Sequence, residues 1–265
     1  MTEYVPSSPT AQLKVGVLYP AHPWNPSPCV QAEDDYTALA DLLENVRVEI
    51  AIAHASWPIL PAESDTAKSD WKGALVALGD PAHLLASART LEPGRPHVIT
   101  WACTSASFLG GLQASEEEAA SLSHTLGIPV SNTSLAFVAA LRALRITRVS
   151  VASIYDPEIS DALRSFLAEA GIATAALTQI KHAGLDDFVA WRKERLLEIV
   201  ALTDAPQAEA ILIPETGIHT VAWLDELEAS VNKPVLTANQ VTMWDALQRV
   251  GFSRPEHRLG ELFRF

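Results

Sequence analysis

Short apolar runs alternate with longer amphipathic stretches along nearly the whole chain, and the alternation predicts strands and helices in succession. Leu13 to Tyr19 reads as the first strand, followed by a Pro-rich loop from Pro20 to Pro28 and a helix from about Gln31 to Glu44. Val46 to Ala53 is the next strand, Ser56 to Ser69 a loop rich in Pro, Asp and Ser, and Trp71 to Thr90 a helix. Val98 to Ala102 is a strand, Ser107 to Leu126 helical, Ile128 to Ser131 a short strand and Leu135 to Leu144 a helix. The pattern then starts again. Strands are expected at Arg148 to Ser153, Thr174 to Leu177, Ala210 to Ile213 and Val235 to Thr237, separated by helices at Asp156 to Glu169, Leu185 to Leu202, His219 to Val231 and Val241 to Val250. Strict alternation of this kind implies an α/β protein with parallel sheets, right-handed crossovers and helices on the sheet faces.

The second half repeats the first in residues as well as in pattern. Val98-Ile-Thr-Trp-Ala-Cys-Thr-Ser105 matches Ala210-Ile-Leu-Ile-Pro-Glu-Thr-Gly217, which sets Cys103 opposite Glu215 and Thr104 opposite Thr216. Ile128-Pro-Val-Ser-Asn-Thr133 matches Lys233-Pro-Val-Leu-Thr-Ala238, and Val15-Gly-Val-Leu-Tyr19 resembles Val149-Ser-Val-Ala-Ser-Ile-Tyr155. The expected architecture is two pseudo-symmetric, Rossmann-like or flavodoxin-like halves with the site in the cleft between them. The N-terminal half is expected to span residues 13–130 and to be joined by the C-terminal helical segment 240–265, with residues 131–239 forming the other half. Ligands of such sheets bind beyond the carboxyl ends of the strands, where the matched residues lie.

Composition narrows the function. A chain of 265 residues, 48% of them hydrophobic and 19% charged, is long enough for one large core or two smaller ones. Residues Met1 to Gln12 contain no apolar run and read as a disordered lead, and no stretch approaches the ~20 apolar residues of a membrane span. The expected location is therefore the cytoplasm. A net charge of −13 disfavours nucleic acid and anionic membranes as partners. The two cysteines, Cys29 and Cys103, form no secreted disulfide pattern, and the eight histidines show no metal-ligand spacing, so neither metal nor cofactor is expected. A homo-oligomer is compatible with the sequence and not fixed by it.

The chemistry is expected where a strand runs into a helix at Ala102-Cys-Thr-Ser-Ala-Ser-Phe108. Backbone N–H groups at a helix start have no intrahelical partner and favour an anion, so a cysteine placed there can have its pKa lowered. An isolated cysteine at a strand end is more often an inert buried thiol, with Thr104 and Ser105 as helix caps; the second copy of the stretch argues against that here. Tyr19 reads as scaffold, His219 as a surface group able to reach substrate, and Asn239 and Gln240 as residues that orient the second loop. Asp34 and Asp35, and Glu116 to Glu118, read as solvated faces, and the seven tryptophans as core or interface.

These motifs resemble the aspartate/glutamate racemase superfamily, within it the branch of maleate cis–trans isomerase and arylmalonate decarboxylase. The resemblance rests on Ala102 to Phe108, Val151 to Tyr155, Ile211-Leu-Ile-Pro-Glu-Thr-Gly217, and Thr237-Ala-Asn-Gln240 with Trp244. It implies a catalytic cysteine at Cys103, with Glu215 standing where a second cysteine usually lies and serving either as the opposing acid or base or as a structural residue that points away. It further implies that a small mono- or dicarboxylate is held by Thr104, Ser105, Tyr155 and the backbone N–H groups of Thr216 and Gly217. In the decarboxylase branch Cys103 would protonate an enediolate; the family's best-known decarboxylase carries its cysteine in the second half, so the opposite product handedness is implied. In the isomerase branch Cys103 would add to a double bond, with Glu215 as opposing acid or base. That branch carries two carboxylate-binding asparagines, yet Asn25 is displaced and His182-Ala-Gly-Leu-Asp-Asp-Phe188 contains none, while Leu185 and Phe188 imply an apolar pocket. Decarboxylation is the favoured expectation, isomerisation or racemisation the alternative, and a carboxylate-binding protein with reduced chemistry the third.

Overall fold

A computed structural model describes residues 12–23, 33–59 and 71–264. Asn25, Cys29, the Gln31 start of the expected helix, most of the two loops expected at Pro20 to Pro28 and Ser56 to Ser69, and the N-terminal lead before Gln12 lie outside them. The first half runs β1 (Gln12–Pro20), α1 (Asp34–Leu42), β2 (Arg47–Ala55), α2 (Trp71–Leu78), α3 (Pro81–Ala88), β3 (Val98–Trp101), α4 (Thr104–Phe108), α5 (Gly111–Leu126), β4 (Val130–Asn132) and α6 (Thr133–Ala143). The second runs β5 (Arg148–Ser153), α7 (Pro157–Glu169), β6 (Ala173–Gln179), α8 (Leu185–Val189), α9 (Lys193–Thr203), β7 (Ala210–Ile213), α10 (Leu224–Val231), β8 (Val235–Thr237) and α11 (Ala238–Arg249). Among the described residues these strands make two four-stranded sheets, ordered β2-β1-β3-β4 and β6-β5-β7-β8. Every pairing is parallel. The two orders are the same order repeated, as the sequence repeat requires.

Burial explains the strand sequences. Central strands β3 and β7 are buried at every position, so both faces must be apolar, while edge strands β2 and β6 keep partly exposed residues along their length. Several helices are shorter than the apolar periodicity predicts, because local backbone chemistry interrupts them. The expected helix from Trp71 to Thr90 breaks at Gly79-Asp80, where the Asp80 carboxylate accepts the N–H groups of Ala82 and His83 at 3.0 Å and restarts the chain as α3. The helix expected from Ser107 begins earlier, at Thr104, and is divided before Gly111, whose φ of +84° suits glycine. Similarly, Leu185 to Leu202 divides into α8 and α9, and His219 to Val231 opens as a 3-10 turn at Val221–Trp223 before α10. Hydrophobic period alone does not register such breaks.

The halves are joined by polar contacts, some of them buried. Helices α6 and α11 pack on each other, with Thr133 and Thr242 hydroxyls 2.8 Å apart, and α11 also rests against β3 and β4. Ser131 donates to the buried carboxylate of Asp245, which Arg249 holds at 2.7 Å. Glu169 on α7 accepts the N–H of Leu112 at 2.7 Å at the start of α5. The tail beyond α11 returns to the first half, where buried Glu256 accepts the N–H groups of Glu44 and Asn45, both at 2.9 Å. Among the described residues no helix is long and apolar enough to cross a membrane.

Candidate active site

Strand register brings the predicted residues to one place. Leu18 is level with Trp101, and Trp101 with Asn132, so Tyr19 and Cys103 emerge together from the carboxyl edge of the first sheet. In the second sheet Val151 is level with Leu212 and Ile213 with Thr237, which delivers Tyr155, Glu215 and Asn239 to the corresponding edge.

Cys103 is the extended residue immediately before α4, with φ −143° and ψ 110°. It is a free, buried thiol whose sulfur lies 4.0 Å from Ser105 Oγ and accepts the N–H of Ala106. Burial, reinforced by the charge of Glu215, pushes the thiol up to about 12 in spite of those hydrogen bonds. The lowering that a helix start can bring is outweighed here, because a five-residue helix start does not offset desolvation next to a buried carboxylate. At neutral pH the group is an S–H.

Glu215 keeps some accessible surface, but its carboxyl is deep enough for burial to hold it above the usual carboxylate range. Opposing that shift are the N–H of Gly217 at 2.9 Å, the Tyr155 hydroxyl, nearby His182 and the N–H of Thr216. Thr216 and Gly217 N–H groups therefore face the Glu215 carboxylate, whereas the family resemblance implies that they hold a substrate carboxylate. The Tyr155 hydroxyl donates to the carbonyl of Pro214, and its ring meets Phe108 edge-on at 5.8 Å. Burial and the Glu215 charge raise its phenol far above the normal range, so it stays a neutral donor. Thr104 Oγ1 is buried beside the Tyr155 phenol.

Tyr19, expected as scaffold, stands beside Glu215 and Thr216. It is buried, its phenol is raised by desolvation and by Glu215, and it hydrogen-bonds the Thr216 side chain. The sequence signal was present, since Tyr19 and Tyr155 match in the repeat. Tyr36 on α1 is a further phenol held neutral beside Asp35, Cys103 and Glu215, and nothing in the local sequence singles it out. Phe188 covers Gly217 so closely that a Cβ there would lie 2.6 Å from the ring. Phe188 in turn packs edge-on to His182 at 5.4 Å and Trp191 at 6.2 Å, an apolar wall on the second-half side.

Asp35 departs from its expected solvated face. It is buried, and its Oδ2 accepts Thr220 N–H at 2.8 Å, Val221 N–H at 3.4 Å and Asn239 Nδ2 at 3.2 Å; Asp34 is exposed. Glu118 is half-buried and pushed up to about 7 by burial and by Asp80, while Glu116 and Glu117 are exposed. His219 is partly buried with Nε2 lacking a partner among the described residues. Asn239 and Gln240 do hydrogen-bond backbone carbonyls, of Thr216 and of Leu259. Among the described residues no group of His, Cys, Asp and Glu is placed to hold a metal ion.

A family model described as arylmalonate decarboxylase matches residues 82–263. The chain belongs to the arylmalonate decarboxylase family. That family lies in the aspartate/glutamate racemase-like superfamily. Arylmalonate decarboxylase from Bordetella bronchiseptica is 26% identical over 166 residues, covering 62% of this chain and 69% of that protein. Among solved structures, a liganded double mutant of arylmalonate decarboxylase aligns with a TM-score of 0.75 at 21% identity, over 95% of this chain and 98% of the other. Maleate isomerase from Pseudomonas putida aligns with a TM-score of 0.81 at 19% identity, over 96% and 99%. A Nocardia farcinica maleate cis–trans isomerase bearing a covalently bound succinylcysteine intermediate gives 0.77 at 19%, over 96% and 99%. The arylmalonate decarboxylase family thus accounts for the sequence, and the shared two-sheet fold extends to the isomerases.

Proposed function

We propose that this protein is a cofactor-independent decarboxylase of a substituted malonate-type acid, with Cys103 as the proton donor. One observation carries the choice: the thiol is buried beside the carboxylate of Glu215, a setting that keeps it protonated. A thiolate nucleophile needs the opposite surroundings, a cation or an exposed helix terminus.

In the proposed reaction the retained carboxylate of the substrate rests against Thr104, Ser105 and Tyr155. The departing carboxylate faces the apolar side formed by Phe188 and Trp191, where its charge is poorly solvated. Heterolysis of the C–C bond releases CO2 and leaves its electron pair on the α-carbon as an enediolate. Fixed donors where that charge develops are each worth about 10²–10³ in rate. The α-carbon takes the Cys103 S–H proton, and the resulting thiolate recovers a proton from water, so the net reaction consumes one proton.

Proton NMR in D2O with phenylmalonate, methylphenylmalonate and maleate, run beside Cys103→Ala, tests this reading. Deuterated phenylacetate or 2-phenylpropionate, formed only by the parent protein, is expected. Fumarate in place of these products would move the assignment to the isomerase reaction with Glu215 as opposing acid or base. Ligand-induced stabilisation without any product would leave a carboxylate-binding protein.

A further inference from the structure

The peptide that presents the Gly217 N–H to Glu215 is held from behind. A trans peptide points its C=O and N–H in opposite directions, so whatever fixes the carbonyl of Thr216 fixes the direction of the Gly217 N–H. That carbonyl accepts Asn239 Nδ2 at 3.1 Å, and the same nitrogen lies 3.5 Å from the Ile218 carbonyl. The repeat contains the same device: the Thr104 carbonyl, matched with that of Thr216, accepts the Ser134 hydroxyl at 3.0 Å. Ser134 and Asn239 are each the second residue of the helix after the last strand of their half, α6 and α11.

The two halves differ in what holds the holder. Ser134 is supported from within its own half by Ser107, whose hydroxyl lies 2.7 Å from it and also donates to the Thr104 carbonyl at 2.9 Å. Asn239 is supported across the cleft by the carboxylate of Asp35 on α1, which simultaneously ties down the N–H groups of Thr220 and Val221 beyond the loop. From this asymmetry we propose that Asp35 is a positioning residue: acting through Asn239, it sets the Thr216–Gly217 peptide and so couples the second-half loop to the first half. Among the described residues its hydrogen bonds go to Thr220, Val221 and Asn239, not to Cys103 or Glu215. The inference rests on the reading that the Glu215 loop forms part of the reaction site, and its geometric core does not need that reading.

The test compares Asp35→Ala and Asp35→Asn in the full chain by amide hydrogen exchange of Gly217, thermal stability, and kcat and KM on the malonate substrate. Asp35→Ala is expected to speed Gly217 exchange and, by loosening the loop that carries Glu215, to lower kcat about tenfold to a hundredfold, as a small misplacement at a reaction site does. Asp35→Asn, which can keep a carbonyl oxygen facing Asn239, is expected to restore most of both. Asn239→Ala cuts the same link from the other side and should reproduce the Asp35→Ala effects, with the double variant showing little further change. Should Asp35→Ala fail to fold, Asp35→Ser, too short to reach Asn239, takes its place in the comparison with Asp35→Asn. A lower melting temperature with Gly217 exchange and kcat both unchanged would overturn the proposal and leave Asp35 a structural tie. If the parent protein turns over no malonate, the decarboxylase reading fails, and Gly217 exchange alone then decides whether Asp35 positions the loop.

Discussion

Alkylation of Cys103 as a function of pH distinguishes a proton donor from a nucleophile. Burial and Glu215 shift the thiol from its ordinary value of 9.0 to about 12. Three pH units mean roughly a thousandfold fewer thiolates at pH 7 than for an ordinary cysteine. A more basic thiolate is also more reactive, with a Brønsted coefficient of about 0.4–0.5, which returns roughly a factor of 16 to 30. The net expectation is alkylation by iodoacetamide roughly 30- to 60-fold slower than a solvent-exposed cysteine of ordinary pKa, before any steric exclusion, which slows it further. The rate should climb about tenfold per pH unit with no plateau below about pH 10. Site-resolved mass spectrometry of the Cys103 peptide, sampled over time at each pH, reads this directly. Glu215→Gln removes the charge that ranks next to burial in raising the thiol, so it should speed alkylation and shift the profile toward lower pH. A profile that levels off near neutral pH would show a thiolate in the resting enzyme, refute the electrostatic reasoning and favour covalent addition.

Cys103→Ala should abolish deuterium-bearing product while leaving the unfolding free energy within about 1–2 kcal/mol of the parent in chemical denaturation, since only one small buried group is lost. Tyr155→Phe removes a donor to the Pro214 carbonyl and should lower kcat by about 10²–10³ if the phenol also faces the enediolate, measured by CO2 release. Gly217→Ala places a Cβ 2.6 Å from the Phe188 ring and should destabilise the fold by about 1–3 kcal/mol in chemical denaturation; pairing it with Phe188→Leu should relieve most of that. Glu118 is held at about 7 when folded, so folding disfavours its ionised form: stability should be greatest below the ordinary value of 4.5 and decline as pH rises toward about 7. Glu118→Gln should accordingly raise the melting temperature at pH 8 and leave it nearly unchanged at pH 4, by scanning calorimetry.

Much of the fold was legible because its determinants are local and repeated. Strands such as Val98–Trp101 and Ala210–Ile213 are apolar throughout, and the matched motifs around Cys103 and Glu215 imposed one topology on both halves. Helix breaks were less legible, because they depend on a single cap such as Asp80 or a positive φ such as that of Gly111. Tyr19 carried a signal in its match to Tyr155. Tyr36 and Asp35 carried none, since an acidic and an aromatic residue at the start of an amphipathic helix look the same on a surface as at an interface.

By itself the sequence determined the alternation of strands and helices, the duplication, and the set of residues that strand ends would deliver to one cleft. These follow from hydrophobic period and spacing, which the chain carries in one dimension. Tertiary structure alone decided the protonation state of Cys103 and the partner of Asp35. A thiol's charge depends on how much water surrounds it and on a carboxylate 112 positions away along the chain, and a carboxylate becomes an interior tie only when another half closes over it.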